Sequence, residues 1–302
     1  MKLLAGPSIA IACCFTGGGC IALTPYATIL ETVPRHEFVK VGEQWVHFER
    51  KGSGDSLILI HGFAGSTFSY RQVMDGLAKS FDVIAVDLNG FGYTERPFGA
   101  EPYSPRGQVA LVTGLMDRLG VREAHVLGHS YGAGIAMLLA VQERNRVTSV
   151  IAVDGAGPRT GGSSGIPREL LPLASALIQT FVVSEDTVRR GLTSSVYRPQ
   201  VVTDEFVSAY YSRIRIEGLG RAIEGLLGGS AGDPLDFAYR DVRQPALIIW
   251  GEHDNIIPIS VGENLHKQLT GSQFVRFDQS GHLPMDEEPQ KFVSTVTGFL
   301  NR

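Results

Sequence analysis

The sequence predicts an α/β fold, a mostly parallel twisted sheet with helices on both faces. Three observations carry that prediction. Short runs with no polar side chain, each of strand length, recur along the chain. Segments of helical length and pattern lie between them, the alternation expected of a parallel sheet. At one junction, Gly128-His129-Ser130-Tyr131-Gly132, an apolar run passes into a small-residue helix through a turn with glycine on both sides of a serine.

Taken in order, 38–41 and 45–49 read as a hairpin around Gly42-Glu43. The runs at 57–60, 83–86, 126–127, 150–153 and 246–250 read as buried strands, and 274–277 as a further, more alternating one. Helices are expected over 70–79, 105–119, 133–143, 260–269 and 289–300. The stretch between Asp154 and Ala246 breaks the rhythm. It opens in a Gly/Ser-rich loop, and helical pieces are expected at 168–181, 184–190, 203–211 and 218–227, Thr203-Asp204-Glu205 being a plausible helix start. The expectation is a helical lid over 157–240, inserted in a main domain at 34–302 whose core parts are 34–156 and 241–302.

Residues 1–33 read as a separate segment. No charge occurs between Lys2 and Glu31, and 9–15 is apolar, like the hydrophobic part of a signal peptide. Gly17-Gly18-Gly19-Cys20 resembles a lipoprotein cleavage box, with Gly17 where an apolar residue is usual. An exported or membrane-associated chain is expected, with Cys20 the candidate for a lipid. The rival is an uncleaved membrane helix, against which Pro7, Pro25 and the glycines count.

Composition narrows the function. A formal charge of −4 over 302 residues provides no basic footprint for nucleic acid. All 3 cysteines (Cys13, Cys14 and Cys20) precede the main domain, so no disulfide or cysteine metal site is expected within it. No cofactor is called for, and a small-molecule substrate is the expected partner.

With 36 glycines, a bare G-x-S-x-G pattern means little, and 161–165 and 228–232 also match it. Those two run into Ile166-Pro167 and Asp233-Pro234, and neither follows an apolar strand. Only Ser130 has a strand before it and a helix after it, so its hydroxyl is expected to be exposed at a helix N-terminus. A serine needs a base, an acid to orient that base, and donors for the oxyanion. His282, in the loop after the last strand, is the candidate base. Asp254, in the loop after 246–250, is the candidate acid, with Asp154 in the corresponding place after 150–153 as its rival. The backbone N–H groups of Phe63 and Tyr131 are the candidate oxyanion donors. His61 is expected to hold its loop by hydrogen bonding, and His129 to point away from Ser130 into the sheet surroundings.

The chain resembles the α/β-hydrolase superfamily over about residues 35–302. The resemblance rests on His61-Gly62-Phe63, the turn at 128–132, Gly251-Glu252-His253-Asp254 and Gly281-His282, in family order. Asp87-Leu88-Asn89-Gly90-Phe91-Gly92-Tyr93-Thr94 is similar to the family's entrance loop, with Asn89 for the usual Arg and Thr94 for the usual Ser. The resemblance implies acyl transfer from a carboxylic ester or related substrate, with Ser130 as nucleophile, His282 as base and Asp254 as acid. Meta-cleavage C–C hydrolases and cofactor-free haloperoxidase-like members share the triad and stand as alternatives. A non-catalytic ligand-binding relative is disfavoured because every triad position is filled. Substrate-binding residues are left open. Phe63, Tyr103, Tyr131, Phe206, Tyr210 and Tyr211 are candidates either for a pocket or for packing the lid.

Overall fold

The computed structural model describes residues 22–155, 167–179, 183–229 and 239–302. Cys20, the apolar run at 9–15 and the pattern at 161–165 lie outside the described residues, and the pattern at 228–232 leaves them after a helix end.

The sheet has 8 strands: β1 (Phe38–Val41), β2 (Gln44–Gly52), β3 (Ser56–Ile60), β4 (Asp82–Val86), β5 (Ala124–His129), β6 (Val147–Val153), β7 (Ala246–Gly251) and β8 (Gln273–Phe277). Their order is β1-β2-β4-β3-β5-β6-β7-β8. β1 and β2 form an antiparallel hairpin, β2 runs antiparallel to β4, and every later pairing is parallel. The apolar runs become the central strands because both faces of this sheet are covered. Along β3, Ile58 and Ile60 point into one core and Leu57 and Leu59 into the other. β2 continues past the expected 49 to Gly52, where Arg50 clamps Asp82 of β4 through two hydrogen bonds of 2.8 Å.

On one face lie α3 (Pro105–Leu119), α4 (Tyr131–Gln142) and α9 (Ile259–Gln268). α4 has no polar side, and residues 132–140 are all buried, as expected of a helix pressed between sheet and neighbours. On the other face lie α2 (Met74–Leu77) and α11 (Pro289–Leu300). The helix expected over 70–79 is divided. A capping box between Ser66 and Ser69 starts a 3-10 turn at Thr67–Tyr70, and α-helix resumes only at Met74.

The lid contains α5 (Leu171–Leu177), α6 (Glu185–Ser195), α7 (Asp204–Ile214) and α8 (Leu219–Gly229). Ser184 caps α6 and Thr203 caps α7, each hydroxyl accepting a backbone N–H three residues on. Phe206, Val207 and Tyr210 of α7, with Leu192 of α6, are buried in the same core as α2 and α11.

Two helices escaped the periodicity, α1 (Tyr26–Thr32) and α10 (Pro284–Glu287). α1 belongs to the stretch 1–33 that the sequence sets apart. Here residues 22–33 are folded onto the main domain: Ile29 is buried with Phe38 and Ile216, flanked by Trp45 and Tyr93. Thr24 exchanges backbone hydrogen bonds with Arg215 and Glu217 between α7 and α8. The boundary placed at 33 therefore falls inside packed structure. No helix among the described residues is long and apolar enough to cross a membrane.

Candidate functional site

Ser130 sits between β5 and α4 at φ 51° and ψ −116°. Few non-glycine residues adopt this conformation, and it aims the hydroxyl out of the turn. The turn is tight enough to require its glycines. A Cβ on Gly128 would lie 2.1 Å from the Gly132 carbonyl oxygen, and one on Gly132 would lie 2.2 Å from that of Ile60.

β5, β7 and β8 bring the three candidate side chains to one sheet edge. Ser130 Oγ lies 2.9 Å from His282 Nε2, and His282 Nδ1 lies 2.7 Å from Asp254 Oδ2. The other Asp254 oxygen accepts the N–H groups of Ile256 and Ile257 at 2.7 and 2.9 Å. The carboxylate is thereby held rigid against the imidazole. Asp154 is not part of this chain of contacts. Its Oδ1 accepts the Gly251 N–H at 2.7 Å, and its Oδ2 has no protein partner. Burial, reinforced by the charge of Asp254, pushes its carboxyl well above the usual carboxylate range. It is a strut between the ends of β6 and β7.

The loop after β3 approaches from the other side. A Cβ on Gly62 would stand 3.1 Å from that of Ser130. No backbone acceptor among the described residues takes the N–H of Phe63 or Tyr131, which leaves both candidate oxyanion donors free. His61 is fully buried; its Nδ1–H donates to the Gly62 carbonyl at 2.7 Å and its Nε2 accepts the Leu88 N–H at 3.0 Å. Burial lowers its pKa, so it is a neutral brace.

His129 departs from expectation. It does not turn away into the sheet but packs behind the base, its Nε2–H donating to the His282 carbonyl at 2.7 Å, the two rings 4.9 Å apart. Burial and the neighbouring His282 hold its pKa down at about 3. Glu287 is a second residue that sequence reasoning missed. One carboxylate oxygen accepts the Gly281 N–H at 2.7 Å, and the other accepts those of Tyr197 and Arg198 at 2.8 and 2.9 Å. It ties the loop carrying His282 to the lid, as does the His282 N–H, which donates to Ser195 at 2.6 Å. In the sequence Glu287 belongs to an acidic run that reads as solvated surface, so nothing marked it.

Beside the site is a cavity of about 490 Å³, of a size that suits a small-molecule ligand. Phe63 and Phe91 form one wall, and Val188, Leu192, Ile223 and Leu226 come from the lid. Tyr210 also lines it, whereas Tyr103, beneath α8, and Phe206, on the inner side of α7, are buried packing residues. The one charged side chain among the described lining residues is Arg213. Its guanidinium lies 4.8 Å from the rings of Phe68 and Tyr93, and Nη1 donates to the Ala209 carbonyl at 3.0 Å. No group of three or more His, Cys, Asp or Glu side chains among the described residues is placed to hold a metal ion.

The family model for the alpha/beta hydrolase fold matches residues 55–289, and the chain belongs to that family. A 2-hydroxymuconate semialdehyde hydrolase of Pseudomonas sp. (strain CF600) is 30% identical over 266 residues, covering 82% of this chain and 88% of that one. An uncharacterized hydrolase of Bacillus subtilis (strain 168) is 28% identical over 261 residues, covering 86% and 94%. Among solved structures, a meta-cleavage product hydrolase from Pseudomonas fluorescens IP01 superimposes with a TM-score of 0.73 at 26% identity, over 88% of this chain and 98% of that one. The protein is therefore a hydrolase by family, and its similar proteins include C–C bond hydrolases.

Proposed function

We propose that this chain is a serine hydrolase that cleaves esters of lipophilic carboxylic acids through an acyl-enzyme. His282 Nε2 takes the Ser130 proton as Oγ attacks the carbonyl, while Asp254 holds the ring and balances its charge. The Phe63 and Tyr131 N–H groups receive the tetrahedral oxyanion. The imidazolium then protonates the departing alcohol. Water, deprotonated by the same ring, attacks the acyl carbon, and the acid leaves with Ser130 restored.

The cavity lining carries the ester reading. The described lining is mostly apolar, and the single cation there lies against two rings and bonds a carbonyl, with only its buried Nε unpartnered. An uncharged acyl chain fits such a lining; a substrate with carboxylates would be desolvated there with little compensation. The second reading is C–C hydrolysis of a 2-hydroxy-6-oxo-dienoate, favoured by the activities for which relatives at 26–30% identity are named. In that case Arg213 would have to meet the substrate carboxylate.

A panel of p-nitrophenyl esters of increasing acyl length, run beside a 2-hydroxy-6-oxo-dienoate, separates the two readings. Ester turnover rising with acyl length, with no dienoate cleavage, is the expected result. Preferred cleavage of the dienoate would replace it with the C–C reading. Ser130→Ala should lower kcat by about 10⁴-fold or more and abolish labelling by a fluorophosphonate probe. Labelling that persists would place the nucleophile elsewhere.

A further inference from the structure

The outer side of α5 is apolar and uncovered. Leu170, Leu173 and Leu177, spaced as one helical row, are 49%, 59% and 49% exposed. The inner side of the helix packs on α8, where Ser175 Oγ donates to the Gly220 carbonyl at 3.0 Å. Beyond the N-terminal end of α8 stands Phe98, 78% exposed, with the Arg221 guanidinium 4.1 Å above its ring.

We propose that this lid face, the α5 row with Phe98 and Arg221, docks on an anionic phospholipid bilayer. Three observations select a bilayer as the occupant. The first is where the chain enters. Residues 3–30 carry no charge, and this run reaches the described structure at Ala22, whose carbonyl accepts a hydrogen bond from Arg215, four residues before α8. Ala22 is thus held at the loop that leads into α8, the helix on which α5 packs. The second is charge. Arg215 and Arg221, both partly exposed, flank that loop. Apolar side chains rimmed by guanidinium groups suit acyl chains below phosphate headgroups, and surface attachment is stable when two such signals act together. The third is continuity. Ile178, the residue after Leu177, lines the cavity, so a docked lid would meet lipophilic substrate at its source. The proposal relies on the ester reading only for that last consequence.

The test uses the full chain with Cys13, Cys14 and Cys20 changed to Ser and one new cysteine carrying an environment-sensitive NBD probe. The new cysteine is Leu173→Cys or, as a control on α9, Lys267→Cys. On vesicles of equal phosphatidylcholine and phosphatidylglycerol, the probe at 173 should brighten and shift to the blue while that at 267 stays unchanged. No shift at 173, or equal shifts at both sites, overturns the docking face. In a second arm, Leu173→Asp with Leu177→Asp should leave soluble p-nitrophenyl acetate turnover within about twofold while cutting hydrolysis of a vesicle-dispersed long-chain ester by about tenfold or more. Equal rates on the dispersed ester would contradict the proposal. So would a wild-type dimer in size-exclusion chromatography that the double variant dissociates, since the face would then join two copies of the chain. Absence of ester turnover by the wild type on either substrate would sink the ester reading alone, because the NBD arm reads docking without catalysis.

Discussion

Ser130 and Asp154 both stand at positive φ, 51° and 44°, at the ends of neighbouring strands. Each such backbone costs about 1–3 kcal/mol, which the surrounding structure must supply. At Ser130 the strain presents a hydroxyl to His282; at Asp154 it turns a carboxyl back onto the Gly251 N–H. The two aspartates that the sequence left in competition are separated by these partners, since only Asp254 bonds to the imidazole. Asp254→Asn should therefore lower kcat by about 10³–10⁴-fold, by analogy with loss of a triad acid. Asp154→Asn, which keeps an acceptor for Gly251, should leave kcat within about threefold. Steady-state kinetics on a short-chain ester checks both, and a larger loss at 154 would reverse the assignment.

His129 carries a pH signature of its own. Its folded pKa is held down at about 3, against 6.5 for a free ring. Between those values the unfolded chain binds more protons than the folded one, so stability rises with pH across the window and levels off above it. His129→Gln keeps a donor for the His282 carbonyl and removes the titration. Urea midpoints at about pH 5 and about pH 8 should differ less in the variant than in the wild type. The price in stability near pH 8 should be about 1 kcal/mol, the worth of a weakened hydrogen bond. An unchanged slope would mean that the ring is not the group responsible.

Elements set the spacing of the site. β3 and β5 are in parallel register with Ile60 opposite Gly128, so the loop after β3 and the turn after β5 begin side by side. β7 and β8 do the same for the acid and the base, with Gly251 opposite Phe277. The loops that follow approach so closely that a Cβ on Gly251 would lie 1.9 Å from the Gly281 carbonyl oxygen. Gly251→Ala should lower unfolding free energy by about 1–3 kcal/mol, the usual range for overpacking, and reduce kcat by shifting Asp254 relative to His282. Chemical denaturation and kinetics on one preparation test this, and wild-type values in both would show that the loops can yield. The two departures in the entrance loop are absorbed locally. Asn89 joins Gln44 and the Pro102 carbonyl at 2.6 and 2.8 Å, and Thr94 Oγ1 bonds to the Asp87 carbonyl at 2.7 Å.

Across the molecule, the lid is tied at two ends. Glu287 and His282 hold the end of α6 to the base loop. At the other end, the buried Arg96 donates to the carbonyls of Arg213, Ile214 and Glu217, where α7 runs out and its dipole favours a cation. α1 adds a second clasp through Thr24 and Ile29. Ile29→Ala should remove about 1–4 kcal/mol of local packing. Hydrogen exchange of the Glu217 and Leu219 amides should accelerate, while amides of β5 stay protected. Uniform acceleration would show that the clasp and the sheet open as one unit.

The parts of this protein that could be read from one dimension are those fixed by short-range physics. Apolar runs mark doubly covered strands, Ser184 and Thr203 mark helix starts, and the glycines around Ser130 mark a turn with no room for a side chain. Ser130, Asp254 and His282 were legible for the same reason, each sitting just past a recognisable strand. Glu287, His129, the clasp at 22–33 and the cavity wall were not. Their roles come from partners brought together across the fold: Glu217 for Tyr26, the His282 carbonyl for His129, Tyr197 for Glu287. A carboxylate in an acidic run and a carboxylate clamping three amides look alike until folding strips the water from one of them, and that desolvation depends on which distant segments close over it.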